Sequence, residues 1–212
     1  MLRAQPRLSD AAYEALRARI VSLRLPPGVR LDEDELIADL GVGRTPLREA
    51  VARLRHEGLV VVLPRRATIV APLDLGDLHQ LIEARIVLET EVAARAAKRA
   101  GPADMARCRD ALELAERAGA DGDPDAYLEA DRRFHDAVAD ACGNTHLAEA
   151  DKHVNMLSMR FWHLGFRMAG PPAAPDHHNR LLAAIAAGDA EAARHLTAEH
   201  IENFRARLRF AL

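Results

Sequence analysis

The chain has 212 residues, of which 49% are hydrophobic, 29% charged and 4% aromatic, and its formal net charge is -3. That length gives one large domain or two small ones, each with a core. Two distant cysteines, Cys108 and Cys142, without CxxC spacing exclude a disulfide scaffold and fit buried thiols in a reducing compartment. With no charged-then-apolar leader and no apolar run of about eighteen residues, the reading is a cytoplasmic protein that neither leaves the cell nor spans a membrane. Alanine, leucine, arginine and glutamate dominate and β-branched residues cluster in few places, so the predicted fold class is mainly α. Residues 1–72 hold 12 Arg and no Lys against 9 acids, a local +3, and the remainder holds 17 Lys plus Arg against 23 acids, a local -6. A basic N-terminal piece joined to an acidic C-terminal piece fits a nucleic-acid module attached to something else.

From Ser9 to Leu23, apolar residues at Ala12, Leu16, Ile20 and Leu23 recur with helical period behind a Ser9 or Asp10 cap, and Pro26-Pro27-Gly28 ends the helix. A short second helix covers about Asp32 to Leu40, with Gly41 supplying its C-terminal turn. The third begins at Thr45-Pro46, where Thr caps and Pro occupies the first helical position, and ends near Glu57-Gly58. Helix, glycine turn, helix is the helix-turn-helix pattern, whose second helix enters the major groove. Leu47, Ala50, Val51 and Leu54 face inward, which turns Arg44 and Arg48 outward at the helix start, where the dipole also favours phosphate. Leu59–Leu63 and Thr68–Val70 then read as two strands joined by Pro64-Arg65-Arg66-Ala67, a hairpin wing with a basic tip. A lone exposed arginine is ordinarily a solvated charge. Arg30, Arg44, Arg48, Arg65 and Arg66 together on one such module point to DNA.

Leu31-Asp-Glu-Asp-Glu-Leu36, Leu40-Gly-Val-Gly-Arg-Thr-Pro-Leu-Arg-Glu-Ala-Val-Ala-Arg-Leu54 and Glu57-Gly-Leu-Val60 resemble the winged helix-turn-helix of GntR-family transcription regulators. The resemblance spans residues 8–72 and implies that Arg44 and Arg48 are the recognition-helix contacts; Arg30, Thr45, Arg65 and Arg66 complete the candidate DNA-binding set. Gly43 stands where the family usually has Ser, and Ala67 where the wing tip usually has Gly. The first removes a cap or phosphate contact and the second alters the wing turn.

After a junction at Pro72–Leu75 the predicted elements are all helices: 75–100, 102–119, 123–142, 145–169, 175–187 and 189–211, with Asp or Thr near their starts and Gly119, Gly143 or Gly188 at ends. Six helices in residues 73–212 predict an antiparallel bundle with room for an internal pocket. In the third of them, Asp131 and His135 lie one helical turn apart, on the side that carries Tyr127, Leu128, Phe134 and Val138. A buried carboxylate and imidazole need partners.

Eight of the ten histidines occur from His135 onward. His178 precedes Leu181, Leu182 and Ile185 at helical spacing, whereas His177 is offset from that stripe; His200 shares a face with Ala193, Leu196, Phe204 and Leu208, whereas His195 lies among Glu191, Glu199 and Glu202. His178 and His200 are therefore the candidates to join Asp131 and His135. Each alone is ordinarily a hydrogen-bonded core histidine. Three imidazoles and one carboxylate on three helices suit a divalent transition metal such as Zn, Ni, Mn or Fe(II). His153 and His163 lie in a long helix of mixed face, at surface or supporting positions.

Glu83-Ala-Arg85 with Glu89, Asp131-Arg-Arg-Phe-His135 with Gly143-Asn144, His178-Asn-Arg-Leu-Leu-Ala-Ala-Ile-Ala-Ala-Gly-Asp189 and His200 are similar to the effector-binding FCD domain of the FadR-type branch of that family. Six rather than seven helices look like the vanillate-regulator (VanR-like) subgroup. The resemblance implies metal binding by Asp131, His135, His178 and His200, a small organic acid completing the coordination, and Arg85 reaching its carboxylate; the plain alternative for Arg85 is an i,i+4 pair with Glu89. The expected protein is a homodimeric, ligand-responsive regulator, usually a repressor in this family, on a two-fold symmetric double-stranded operator, with the acid shifting the placement of the two winged modules. Two other functions remain open at this level. A metal-dependent enzyme would use the same His and Asp residues, but no further carboxylate stands at a motif spacing for a general base. A DNA-binding protein with a purely structural metal would lose stability on chelation without responding to acids.

Overall fold

The computed structural model describes residues 7–63, 67–169 and 176–211. Backbone contacts divide the chain into two units, residues 1–74 and 75–212.

In the first unit, α1 (Leu8–Val21), α2 (Glu33–Leu40) and α3 (Arg44–His56) precede β1 (Val60–Val62) and β2 (Thr68–Val70). Helix α1 starts one residue ahead of the expected cap: Arg7 is its N-cap without a side-chain bond, and its carbonyl accepts from the Asp10 and Ala11 amides. Helix α2 is capped by the Asp32 carboxylate, which accepts from the Asp34 and Glu35 amides, and is closed by Gly41 at φ 64°. Helix α3 differs from expectation in its start, since Gly43 rather than Thr45 is the N-cap and makes no side-chain cap bond. Pro46 then sits at the third helical position, where its missing N–H is still one of the four unpaired donors of a helix start. Leu47, Ala50 and Leu54 are fully buried, with Leu16 and Ile20 of α1 also in this core, while Val51 is half-buried. The α1–α3 contact is tightened at the end of α3, where the Tyr13 hydroxyl donates to Glu57 at 2.9 Å and the Arg53 guanidinium lies 3.8 Å over the Tyr13 ring and pairs with Asp10 at 2.7 Å.

Strands β1 and β2 pair antiparallel with Val61 opposite Ile69. Residues 28–31 add a further edge to β2: Gly28 donates to the Val70 carbonyl, Val70 to Val29 and Leu31 to Thr68, and Arg30 bridges Ile69. The Leu63 amide donates to the Ala67 carbonyl at the base of the wing. Ala67 has no positive φ, so a glycine is not required there. The expected wing-tip residues Arg65 and Arg66, and the 170–175 loop, lie outside the described residues.

The second unit contains α4 (Leu75–Arg99), α5 (Pro102–Asp121), α6 (Pro124–Ala141), α7 (Thr145–Ala169), α8 (Asp176–Ala186) and α9 (Ala190–Ala211). Sequence-predicted bounds hold within about two residues, and α5 runs past Gly119 to end on Gly122 at φ 68°. Gly119 is an interior position, with Tyr127 ring atoms 3.8 Å from where a Cβ would stand. The core is built largely from alanines, including Ala93, Ala96, Ala137 and Ala193, which let helix axes approach closely; Phe134, Val138 and Leu181 fill the remaining volume. Helix α4 packs against α6, α7, α8 and α9, so residues on its inner face meet all four.

Candidate functional site

Helix α6 presents Asp131 and His135 on one face, as their spacing requires, with the carboxylate buried and the imidazole 10% exposed. Helix α8 adds His178, whose Nε2 lies 3.5 Å from Asp131 Oδ1, and His135 Nε2 lies 3.9 Å from Asp131 Oδ2. Helix α9 adds His200, its ring 4.8 Å from that of His178 and 5.3 Å from that of His135. Ligand atoms of His135, His178 and His200 all fall within 4.8 Å of one another. The Nε2 atoms of all three are buried without a hydrogen-bond partner. Unpaired buried polar atoms are rare in folded proteins, and three gathered at one place, with Asp131 beside His135 and His178, fit a cation. Burial is the first cause that holds His178 down to about 4 and the other two well below an ordinary imidazole, which favours the neutral form that a metal ligand needs. Burial also pushes Asp131 up to about 7, against the lowering influence of Arg85.

Around this set, Glu89 Oε2 stands 3.6 Å from His135 Nδ1, the position from which a carboxylate orients a ligating imidazole. Glu89 also pairs with Arg85 Nε, and both side chains are buried, so the i,i+4 pair expected as the plain alternative is present. Arg85 Nη1 nevertheless has no hydrogen-bond partner. His177 bonds instead to the Leu196 carbonyl at 2.8 Å, His195 and His153 are exposed, and His163 lies 3.6 Å from Asp125. Trp162 stacks on Phe204 at 4.1 Å and lies 6.1 Å from the His200 ring.

In the sequence Glu89 stands out only as a partner of Arg85, and Asp151, Asn155 and Trp162 do not stand out as site residues. Asp151, Asn155 and Trp162 do recur at helical spacing along α7.

In the first unit, Arg30, Arg44, Thr45 and Arg48 are all exposed. Arg44 Nη2 pairs with Asp34 at 2.7 Å, and Arg48 makes a two-pronged contact with Glu33, its Nη2 at 3.1 Å and Nε at 3.2 Å. Such exposed ion pairs are worth at most about 1 kcal/mol, so phosphate or base contacts can replace them.

The family model for bacterial regulatory proteins of the gntR family matches residues 8–70, and the FCD domain model matches residues 80–203. The chain belongs to the GntR family of transcription regulators and carries an FCD domain. This GntR-family regulator is 31% identical over 217 residues to the Uxu operon transcriptional regulator of Escherichia coli (strain K12), covering 91% of this chain and 83% of that protein. It is 30% identical over 202 residues to the HTH-type transcriptional regulator LutR of Bacillus subtilis (strain 168), covering 84% and 91%. Its fold is similar to that of E. coli McbR/YncC, with a TM-score of 0.86 at 27% identity over 97% of this chain and 98% of the other. A GntR-family DNA-binding function follows for the regulator, and no helix among its described residues is long and apolar enough to cross a membrane.

Proposed function

We propose that the regulator responds to a small carboxylic acid that binds beside a divalent transition metal held by Asp131, His135, His178 and His200, and that it acts as a repressor on a two-fold symmetric operator as a homodimer. The observation that carries this reading is the convergence of the His135, His178 and His200 ligand atoms within 4.8 Å of one another, with their Nε2 atoms buried and unpartnered and the Asp131 carboxylate beside His135 and His178. Three nitrogen ligands and one oxygen ligand suit Zn, Ni, Mn or Fe(II), and a bound ion of that kind supplies a Lewis-acidic position for a carboxylate. Glu89 Oε2, 3.6 Å from His135 Nδ1, is placed to orient that ring once an ion is bound, and the unpartnered Nη1 of Arg85 is the donor for the acid. The six helices α4 to α9 support a place in the vanillate-regulator subgroup.

Arg44, Thr45 and Arg48 at the start of α3 are the recognition contacts, with Arg30, Arg65 and Arg66 on the phosphate backbone. One such module makes few base contacts, so tight binding calls for two half-sites and hence a dimer. An acid alters operator occupancy only as far as it binds the DNA-competent and DNA-incompetent forms with different affinity.

The lone Trp162 beside His200 gives a direct test of the metal set. Chelator-stripped protein titrated with Ni(II) should lose Trp162 fluorescence with a one-to-one end point, and His200→Ala should abolish that loss. Unchanged fluorescence together with no retained metal by elemental analysis would remove the metal set and the acid site built on it.

A further inference from the structure

In the first unit the start of α2 stands beside the start of α3, and carboxylates of one face guanidinium groups of the other. Asp32 caps α2 and Leu36 enters the core, which leaves Glu33 and Asp34 exposed on the first turn. The two pairs they make differ in kind. Asp34 meets Arg44 through one oxygen at 2.7 Å, a contact about which the guanidinium can rotate. Glu33 grips Arg48 side-on: Nε lies 3.2 and 3.3 Å from its two oxygens, and Nη2 lies 3.1 Å from Oε2. The same Oε2 lies 4.0 Å from Arg44 Nε, so Glu33 is the carboxylate common to both arginines. A guanidinium carries five N–H donors in one plane, and the side-on grip uses one on Nε and one on Nη2. The two Nη1 donors and the outer Nη2 donor are left over, and they form the end-on edge that matches O6 and N7 of guanine. A base contact by Arg48 thus adds to the Glu33 contact without having to replace it.

We propose that Glu33 is a positioning residue for base readout: it fixes the plane of the Arg48 guanidinium so that the end-on edge meets a guanine in the major groove, and thereby sets sequence discrimination at that base pair. This inference rests on the reading of Arg48 as a recognition contact and adds a residue of α2 that touches no base itself. An unrestrained arginine loses rotamer freedom when it engages a base, and it can turn to a phosphate instead; a guanidinium already held in one plane avoids both. Arg48 and Glu33 are 64% and 45% exposed, so the pair is weak in the free protein and strengthens once DNA displaces the surrounding water. A carboxylate at the DNA face also repels phosphate, which weakens binding to every duplex alike. A residue that lowers general attraction while fixing one base contact raises the ratio of specific to non-specific binding, the quantity on which a regulator depends among many competing sites.

The test is selection of duplexes from a randomised library by the full-length protein, followed by anisotropy titration of the selected site and its single-base variants with the wild type, Glu33→Ala, Arg48→Ala and the double variant. Replacing the guanine that Arg48 reads should weaken wild-type binding about tenfold, and Arg48→Ala should lose that discrimination. Glu33→Ala should reduce the discrimination at the same base pair to about twofold, leave the other positions as in the wild type, and cause no further loss in the Arg48→Ala background. Because Glu33 is exposed and Asp32 still caps α2, the variant keeps the fold. A Glu33→Ala protein that binds every duplex more tightly with its discrimination intact overturns the proposal and makes Glu33 a repelling charge only. Discrimination lost at several base pairs, or a Glu33→Ala loss that adds to that of Arg48→Ala, overturns it as well, and both outcomes leave Arg48 as a recognition contact. Base preferences that Arg48→Ala does not alter remove the recognition reading itself, and the proposal with it.

Discussion

Replacing His178 by Gln removes one imidazole from the proposed metal set while keeping a polar side chain of similar reach on α8. His178 is 5% exposed, and its ring packs 4.9 Å from that of Phe134, so the substitution also changes the metal-free stability through packing. The ion-dependent shift in melting temperature separates coordination from that packing effect. An ion present at a hundred times its dissociation constant stabilises the folded state by about 2.7 kcal/mol. For a unit the size of residues 75–212, 1 kcal/mol corresponds to roughly 4 °C, so the wild type should gain roughly 10 °C on addition of Zn(II) to stripped protein. Even loss of a supporting partner of a ligand weakens a site by up to about 100-fold, and loss of the ligand itself should do at least that. At the same metal concentration the variant then gains about 0.4 kcal/mol, or roughly 2 °C. Scanning calorimetry of stripped and reloaded protein reads the difference. A gain in His178→Gln equal to that of the wild type would refute the reasoning, since His178 would then contribute nothing to holding the ion.

The DNA surface yields two further expectations. Arg48→Ala should weaken operator binding by about 1–3 kcal/mol and relax sequence preference, whereas Arg65→Ala or Arg66→Ala should mainly reduce the salt dependence, as read by anisotropy titrations at several salt concentrations. Unchanged binding in all three would remove this surface from recognition. Gly43→Ser should stabilise the N-terminal unit by a few tenths of a kcal/mol and raise its melting temperature slightly, because α3 lacks a side-chain cap and a Cβ there meets only the Pro46 ring at 3.7 Å. A destabilised Gly43→Ser protein would contradict that account of the helix start. Metal affinity should also depend on pH. Asp131 is pushed up to about 7 by burial, so below that pH a proton must leave for each ion bound, and affinity should fall about tenfold per unit from about pH 7 to about pH 5. The Asp131 carboxyl sets most of that slope, since His178 protonates only near 4 and burial holds the other two imidazoles well below their ordinary value. A flat profile from competition with a chelator would contradict it.

Much of the architecture can be read from the chain because its signals are local. Asp32 with Gly41, and Asp123 with Pro124, mark helix ends through caps and fixed dihedrals, and the structure places those ends within about two residues. The start of α3 differs from expectation because Thr45 has the right chemistry for a cap, whereas Gly43 adopts the extended φ and ψ that a cap position needs. Gly119 misled in the opposite sense, since a helix tolerates an interior glycine where it packs against Tyr127. The approach of His135, His178 and His200 to one another, and of Asp131 to the first two, is legible because each lies on the apolar stripe of its own helix, whereas His177 and His195 are offset from theirs. Pairing of residues 28–31 with β2 was not legible, as it depends on the turn at Pro26–Gly28 bringing distant backbone together. Nor was the relation of Glu89 to His135, which exists only through the packing of α4 on α6.

The central claim is that acid binding at the metal set controls operator occupancy. Its most direct test is fluorescence anisotropy of labelled operator with metal-loaded and metal-stripped protein, across a panel of small carboxylic acids. The account predicts that at least one acid lowers operator affinity in the metal-loaded wild type, and that the response disappears on stripping and in His135→Ala. Operator affinity that no acid changes in the metal-loaded protein, or a response that survives both stripping and His135→Ala, would contradict it.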